Sequence, residues 1–535
     1  METAKTPNIK SAALTANDKS ILDRHLSKYT AFTVDEKEIA GFFNGGYGSF
    51  RLQIDEELDW TISLELNDLR DPDYKAFYIT EEGEVEITEP FVVNTFKGET
   101  SAGQHVRFTI DENTFFGIIF GENYHYVIRS AKDYTQNKGD NSFIVYKSWD
   151  IIPDDNFSDY INDALEVPKE GKENIVAGAM TRADSKSLKI ATDADYDLYS
   201  VYSSGTNSFI LTVINAIEGV YYTTFGLRLY VTDQYVFTTT STTPTYPYTS
   251  TDSSTLLGQF RTYWNTYRTG VNRHIAHLFT GKTLGGGIMG RSWVGAINGN
   301  TSGNYAYALS MNRTDMYQTT AHEIGHNLNA LDNPSDGSCD TPSRSVMCQG
   351  PLKASSLWFS TQSQNLINSF LSSNSSALSY ILGPSSVTYG TNYSLQNAPP
   401  GTISWSKTGS LSVSSSGNTA TVFATGTGSG TLTVMINNGI VNRIVAEKTI
   451  SAYQPLITGP STVYTGSTVY YNLPYETGAS YNWSSGGTLT LVSNGSATGT
   501  FNVPYNASGS NDVVYCTVTL NGVLTHIYNM SVNIY

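Results

Sequence analysis

The residues of this chain best placed to do chemistry lie in one string, AHEIGHNLNALDN, at 321–333. His322 and His326 are four positions apart, so on a helix they leave from one face. Neutral imidazoles at that spacing can share one Zn2+, each at about 2.0–2.1 Å. Glu323 follows the first of them and would stand beside the ion rather than on it. A carboxylate there can take a proton from a metal-held water and pass it to a leaving amine. Asp332 lies six positions after His326, and a carboxylate oxygen at about 2.0–2.2 Å is an acceptable zinc ligand. Three protein ligands leave a coordination place open, whereas structural zinc is usually closed by four, often cysteines. The Gly-rich GKTLGGGIMG (281–290) is not a phosphate loop: it lacks the GK[ST] ending and precedes a strand rather than a helix.

The two histidines need a helix, and the spacing predicts one from Thr314 to about Leu331. Around it, from about 187 to 380, the texture is α/β. LKIATDAD (188–195), GLRLYVTD (226–233), GIMGRSWVGA (287–296) and YAYALSMN (305–312) read as strands. SFILTVINAIEGVYYTTF (208–225) has helical spacing, and LLGQFRTYWNTYRTG (256–270) reads as a helix that NRHIAHLFTG (272–281) extends. His274 and His277, three apart, take structural roles because the zinc set is already complete. His25, His105, His125 and His526 are isolated, and Asp193 and Asp195 end a strand.

HEIGHNLNALD resembles the metzincin signature HExxHxxGxxH/D, and RSVMCQG, with Ser345-Val346-Met347, resembles its Met-turn. Upstream, FILTVINAIEGVYYTTFGLRLYVTD, LLGQFRTYW, HLFTGKTLGGGIMGRSWVGAI and TTAHEIGHNL are similar, in that order, to the reprolysin (adamalysin) branch. The resemblance implies an α/β metzincin catalytic domain over 184–380, with zinc on His322, His326 and Asp332, Glu323 as general base and Met347 beneath the metal. It also implies a cleft between the zinc helix and an edge strand, taken to be YAYALSMN, to which an extended polypeptide substrate adds as a strand. Two departures stand out. Asn329 replaces the Gly of the turn, the next best residue for a left-handed conformation. Asp332 replaces the third His, and its added negative charge implies a modest alkaline shift in activity. Two acidic ligands of the structural Ca2+ found in many reprolysins fall at Lys189 and His274, neither a suitable oxygen ligand, which argues against Ca2+.

Residues 1–183 carry most of the acidic charge and read as an antiparallel β domain, with strands at FRLQI (50–54), WTISLEL (60–66), KAFYIT (75–80), HVRFTI (105–110), FFGIIFG (115–121) and YHYVIRS (124–130). The stretch 91–130 resembles the reprolysin propeptide, implying a latent zymogen; the alternative is a permanent accessory β domain. Residues 1–338 contain no Cys, so a thiolate latch on zinc is excluded, and latency would need a carboxylate on the metal or a segment lying in the cleft. VPKEGKENIVAGAMTRADSK (167–186) reads as an exposed linker, with activating cleavage expected near Lys172, Arg182 or Lys186.

The C-terminal part repeats itself. GPSSVTYGTNYSL (383–395) is echoed by GPSTVYTGSTVYYNL (459–473), and each copy has a Trp in a strand, Trp405 and Trp483, before an Asn-Gly turn. Two Ig-like β-sandwiches, 381–453 and 454–535, are expected; as modules common outside cells, they would bind host or cell-surface protein or glycan. The start, METAKTPNIKSAALTANDKS, has no apolar core of a signal peptide. The sandwiches nevertheless favour a secreted protein whose signal has been removed. With net charge −16 and pI about 4.9, nucleic acid is an improbable partner, and no run of about 18 apolar residues spans a membrane. Of three cysteines, Cys339 and Cys348 can close one short loop or stay reduced, and Cys516 reads as a buried thiol. The whole reads as a multidomain, secreted zinc endopeptidase made as a proenzyme. The competing reading, a non-catalytic adhesion protein with an inert protease domain, is disfavoured because His322, Glu323, His326, Asp332 and Met347 are all present.

Overall fold

The computed structural model describes residues 4–43, 45–88, 92–121, 124–137, 141–152, 164–167, 184–297, 304–340, 344–349, 357–437, 442–520 and 522–535. It is β-rich with few helices. The chain divides into two compact units: 1–379 with 399–401 and 438–443, and 380–398 with 402–437 and 444–535.

The first unit holds two sheets. A nine-stranded antiparallel sheet runs, edge to edge, Lys10–Ser11, Thr30–Thr33, Ser142–Lys147, His125–Ser130, Thr114–Phe120, His105–Asp111, Thr95–Thr100, Asp59–Leu66 and Tyr47–Gln53. Successive side chains on a strand point to opposite faces, and both faces here are covered. On the strand His105–Asp111, Val106, Phe108 and Ile110 enter a core with Phe32, Phe50, Ile62 and Ile39 of the short helix Glu36–Gly41. From neighbouring strands Ile118, Val127 and Ile144 enter a second core, shared with Ile214, Ile217 and Val220 of the helix Thr206–Phe225.

That helix also packs on the second sheet, which orders Ala164–Glu166, Gly290–Val294, Tyr307–Met311, Ile275–Thr280, Asp184–Ala194, Leu227–Phe237, Arg70–Thr80 and Gly83–Glu86. The pairs are parallel except Gly290–Val294 against Tyr307–Met311 and Gly83–Glu86 against Arg70–Thr80. Leu188, Ile190, Leu229 and Val231 face the side of Thr206–Phe225, Met316–Asn327 and Thr361–Ser373. Ala191, Tyr235, Phe237, Leu278 and Leu309 face the opposite side, with Phe260 and Trp264 of the helix Ser253–Tyr267. A sheet buried on both faces reads as unbroken apolar runs.

That fact explains three departures from expectation. IAHLFT, read as a helical extension, is the strand Ile275–Thr280, buried throughout. KAFYIT belongs not to the N-terminal antiparallel sheet but to Arg70–Thr80, parallel to Leu227–Phe237 in the second sheet. YAYALSMN is not an edge: Tyr307–Met311 is paired on both sides, and beyond it lie Gly290–Val294 and then Ala164–Glu166. The expected linker also ends early. The strand Asp184–Ala194 begins inside it, and Lys186 is buried opposite Leu227. Lys172 and Arg182 lie outside the described residues.

The second unit contains the repeat. Its first half pairs Tyr380–Leu382, Thr391–Gln396, Thr419–Ala424 and Leu411–Ser416 in one sheet, with Thr402–Lys407 and Gly428–Asn437 pairing separately. Its second half sets Thr462–Val463, Val523–Ile534, Asn511–Leu520 and Ala479–Ser485 beside Thr468–Asn472, Thr498–Asn502 and Thr490–Ser493. The tryptophans are equivalent: Trp405 Nε1 donates to Gly417 O (2.9 Å) and Trp483 Nε1 to Ser496 O (2.8 Å). Cys516 is a free, buried thiol that burial pushes up to about 12.

Candidate active site

The helix carrying the two histidines, Met316–Asn327, is buried along its whole length. Tyr221 of the long helix donates to Ala321 O at 2.7 Å. The expected helix ran to Leu331; the observed one stops earlier because Asn329 is left-handed, with φ 75°. The N–H of Asn329 closes onto His326 O (2.8 Å) and that of Ala330 onto Gly325 O (2.9 Å). Such a closed turn satisfies the last carbonyls of the helix and reverses the chain, and the reversal brings Asp332 back over the histidines.

His322 Nδ1 lies 2.7 Å from Val346 O and His326 Nδ1 2.9 Å from Ala330 O. Carbonyl oxygens only accept, so each Nδ1 carries its ring proton and each Nε2 presents a lone pair. The two Nε2 atoms are 2.9 Å apart, and each is 3.2 Å from Asp332 Oδ1. Two lone pairs and a carboxylate aimed at one point repel unless a cation lies among them. The donor set, two imidazoles and one carboxylate, suits zinc with a place left open, and all three ligand atoms lie within 4.8 Å of one another. These residues fit the metal that the sequence pattern implies.

Glu323 points instead to the strand Gly290–Val294. Ser292 Oγ donates to Glu323 Oε2 at 2.7 Å. A Cβ on Gly290 would come within 2.3 Å of Glu323 Oε1, so only glycine lets the carboxylate rest there. That strand and the helix end are stitched together by Gly295 N to His326 O (2.8 Å), Ala296 N to Asn327 O (2.9 Å) and Asn327 Nδ2 to Trp293 O (2.9 Å). Gly290 and Ser292 escaped the sequence reading. Their alternation in GRSWV puts them on one face, but that face matters only once this strand is known to border the site.

Met347 is fully buried beneath the helix, where a Cβ on Gly325 would come within 2.6 Å of its Sδ. Asn333 N donates to Met347 O at 3.0 Å, joining the Asp332 segment to this turn. Cys339 and Cys348 are disulfide-bonded, with Cα atoms 5.4 Å apart.

The remaining candidates lie elsewhere. His274 Nδ1 accepts from Lys189 N (2.7 Å) and its Nε2 is 2.8 Å from Ala377 O. Lys189 Nζ is 3.3 Å from Asp71 Oδ2. His277 Nε2 meets Ser310 Oγ at 2.9 Å, and His125 Nδ1 accepts from Leu357 N at 3.2 Å. His25, His105 and His526 sit beside Tyr134, Glu99 and Tyr528. Asp195 caps the helix Tyr196–Tyr202, accepting from Leu198 N (2.8 Å) and Gly281 N (2.9 Å). Asp193 accepts from Tyr248 OH (2.6 Å) and Trp264 Nε1 (2.9 Å). Among the described residues, His322, His326 and Asp332 form the one group of three or more such side chains converging on a point.

The chain's own Ala164–Glu166 lies along the free side of Gly290–Val294 as a parallel strand, pairing Ala164 with Ser292 and Glu166 with Val294.

Residues 184–394 match the model of Reprolysin_5, metallo-peptidase family M12, which supports a metallopeptidase, and a peptidase implies a protein substrate. Among solved structures the chain is similar to metalloproteinase-II from Bacteroides fragilis at 15% identity and a TM-score of 0.40, over 62% of this chain and 94% of that one. No curated protein matches it. No described helix is long and apolar enough to cross a membrane.

Proposed function

We propose that this chain is a secreted, zinc-dependent endopeptidase held latent by its own N-terminal part, with metal ligands His322, His326 and Asp332 and general base Glu323. The observation that carries the reading is the convergence of two Nε2 lone pairs and the Asp332 oxygen beside a carboxylate that lines a strand. Zinc bound there would supply a Lewis acid that acidifies water and polarises a peptide carbonyl. Val346 O and Ala330 O keep each imidazole in the tautomer that turns Nε2 inward. Glu323 takes the proton of the attacking water and delivers it to the leaving amine, while the Ser292 hydroxyl keeps its carboxylate against the strand. The backbone of Gly290–Val294 receives the polypeptide as an added strand.

Latency then has a physical form. Ala164–Glu166 already uses the hydrogen-bonding edge that a substrate needs, and cleavage between 168 and 183 would let it leave. Lys172 and Arg182 fall in that interval; Lys186, paired inside a strand, is not open to a protease. The two repeated β modules are read as Ig-like sandwiches that hold the enzyme to protein or glycan at a cell surface.

The test is hydrolysis of an unfolded protein by cleaved material, with and without a chelator. Chelation should abolish cutting and added zinc restore it. Glu323→Gln should lower turnover about 100- to 10,000-fold while one zinc stays bound. Cutting indifferent to chelator sinks the reading.

A further inference from the structure

The N-terminal region does more than lie over the cleft: it supplies part of the fold to which the metal helix belongs. Its strand Arg70–Thr80 is built into the second sheet, with Val231 paired to Arg70 and Asp233 to Phe237 paired to Lys75 to Ile79. Val231 N donates to Leu69 O (2.7 Å) and Thr238 N to Ile79 O (3.0 Å) at the two ends. Without this strand, Leu227–Phe237, almost wholly buried, would become an open apolar edge, the feature that drives chains to pair with one another.

Buried charge tells the same story. Glu218 of the long helix, 1% exposed, accepts from Arg107 Nε of the N-terminal sheet (2.8 Å) and from Arg228 Nη1 (3.2 Å). Lys189 meets Asp71 on Arg70–Thr80. Asn215 Nδ2 donates to Phe108 O (2.8 Å), and Asn67 Nδ2 donates to Asn215 Oδ1 (2.9 Å). Tyr74 OH donates to Gln234 Oε1 at 2.6 Å. A side chain at Gly219 would come within 2.4 Å of Phe120 on the N-terminal sheet, so the long helix is shaped to fit that sheet. Removing Arg107 would take from Glu218 its shortest hydrogen bonds and leave it Arg228 alone of the two guanidiniums, a large penalty for a buried charge.

We infer that the N-terminal region is a permanent strand-donating partner of the metallopeptidase domain, which stays docked by Arg70–Thr80 and the Arg107–Glu218–Arg228 cluster after the connecting segment is cut. Clearing the cleft then requires only that Ala164–Val167 leave, not that the region be shed. The docking does not depend on the peptidase reading; the clearing of the cleft rests on it.

The test uses the full chain carrying Glu323→Gln, so that it cannot digest itself, with a site for a specific protease placed between 168 and 183. After cutting, the two pieces should co-elute at one to one on size exclusion at sub-micromolar concentration, and their thermal transition should remain a single one. Arg107→Ala in the cut chain should weaken the association by about 100-fold or more. Separation of the cut pieces, with the C-terminal one still folded, overturns the inference. If Arg107→Ala fails to fold, the unmutated cut chain decides alone.

Discussion

At Gly290 the absence of a side chain decides where the Glu323 carboxylate can rest. Its Cα faces Glu323 Oε1 so closely that an added Cβ would come within 2.3 Å, while Ser292, two residues on, holds the other oxygen. Gly290→Ala should push the carboxylate off the strand and lower turnover about 100-fold, the scale of a 1 Å misplacement. Zinc content should stay at one per chain, since no ligand moves; metal analysis beside steady-state rates checks both halves. The histidine pair was legible from sequence because i,i+4 spacing is a property of any helix. Asp332 was less so. Its approach depends on Asn329 entering the left-handed region, a turn that Asn suggests but does not dictate. Gly290 and Ser292 were invisible, because nothing in GRSWV says which helix it faces.

Elements were legible where their period was unambiguous. Thr206–Phe225 and Met316–Asn327 follow from 3.6-residue spacing. IAHLFT and KAFYIT differ from expectation for one reason: a short apolar run looks alike in a buried parallel strand, a helix end and another sheet. YAYALSMN reads as an edge in sequence because edge status depends on what pairs outside it, and Gly290–Val294 does. The loop that carries Asp332 toward the Met347 turn is an element of its own, closed by Cys339–Cys348 at a separation of 9 residues. In the chain-entropy view a loop that short contributes about 2–3 kcal/mol. Replacing both cysteines by Ser should cost the first unit about that much in denaturant unfolding. It should also weaken zinc retention against a chelator, because Asn333 is hydrogen-bonded to the Met347 turn. Unchanged retention would show that Asp332 is positioned by the helix end alone.

For the molecule as a whole, buried ionisable groups set how stability follows pH. Burial raises the Asp193 carboxyl to about 7, despite hydrogen bonds from Tyr248 and Trp264 and the nearby Arg268 charge. The folded protein therefore keeps this proton over a range in which the unfolded chain, near 3.8, has lost it. Stability from this group is full below about pH 4 and falls as pH rises toward 7, by at most about 1.4 kcal/mol per pH unit. His125, His274 and His277, depressed by burial to about 3, 4 and 3, work the opposite way. They stay neutral when folded, so their contribution is lost as pH drops below 6.5. Asp193→Asn should remove only the first trend. Relative to the parent, the variant should gain stability steadily between pH 4 and 7 in parallel thermal melts; a constant offset would mean that Asp193 ionises normally.

The Arg70–Thr80 strand carries a consequence for how the protein is made. It leaves the ribosome before every other strand of its sheet, followed at once by Gly83–Glu86, with which it forms a hairpin, and its long-range partner, Leu227–Phe237, follows much later. During synthesis it waits as a template, one side of its backbone unsatisfied, until the rest of that sheet arrives to pair with it. Order of translation thus becomes order of assembly, and a chain begun after this strand would have to finish a sheet whose first course was never laid.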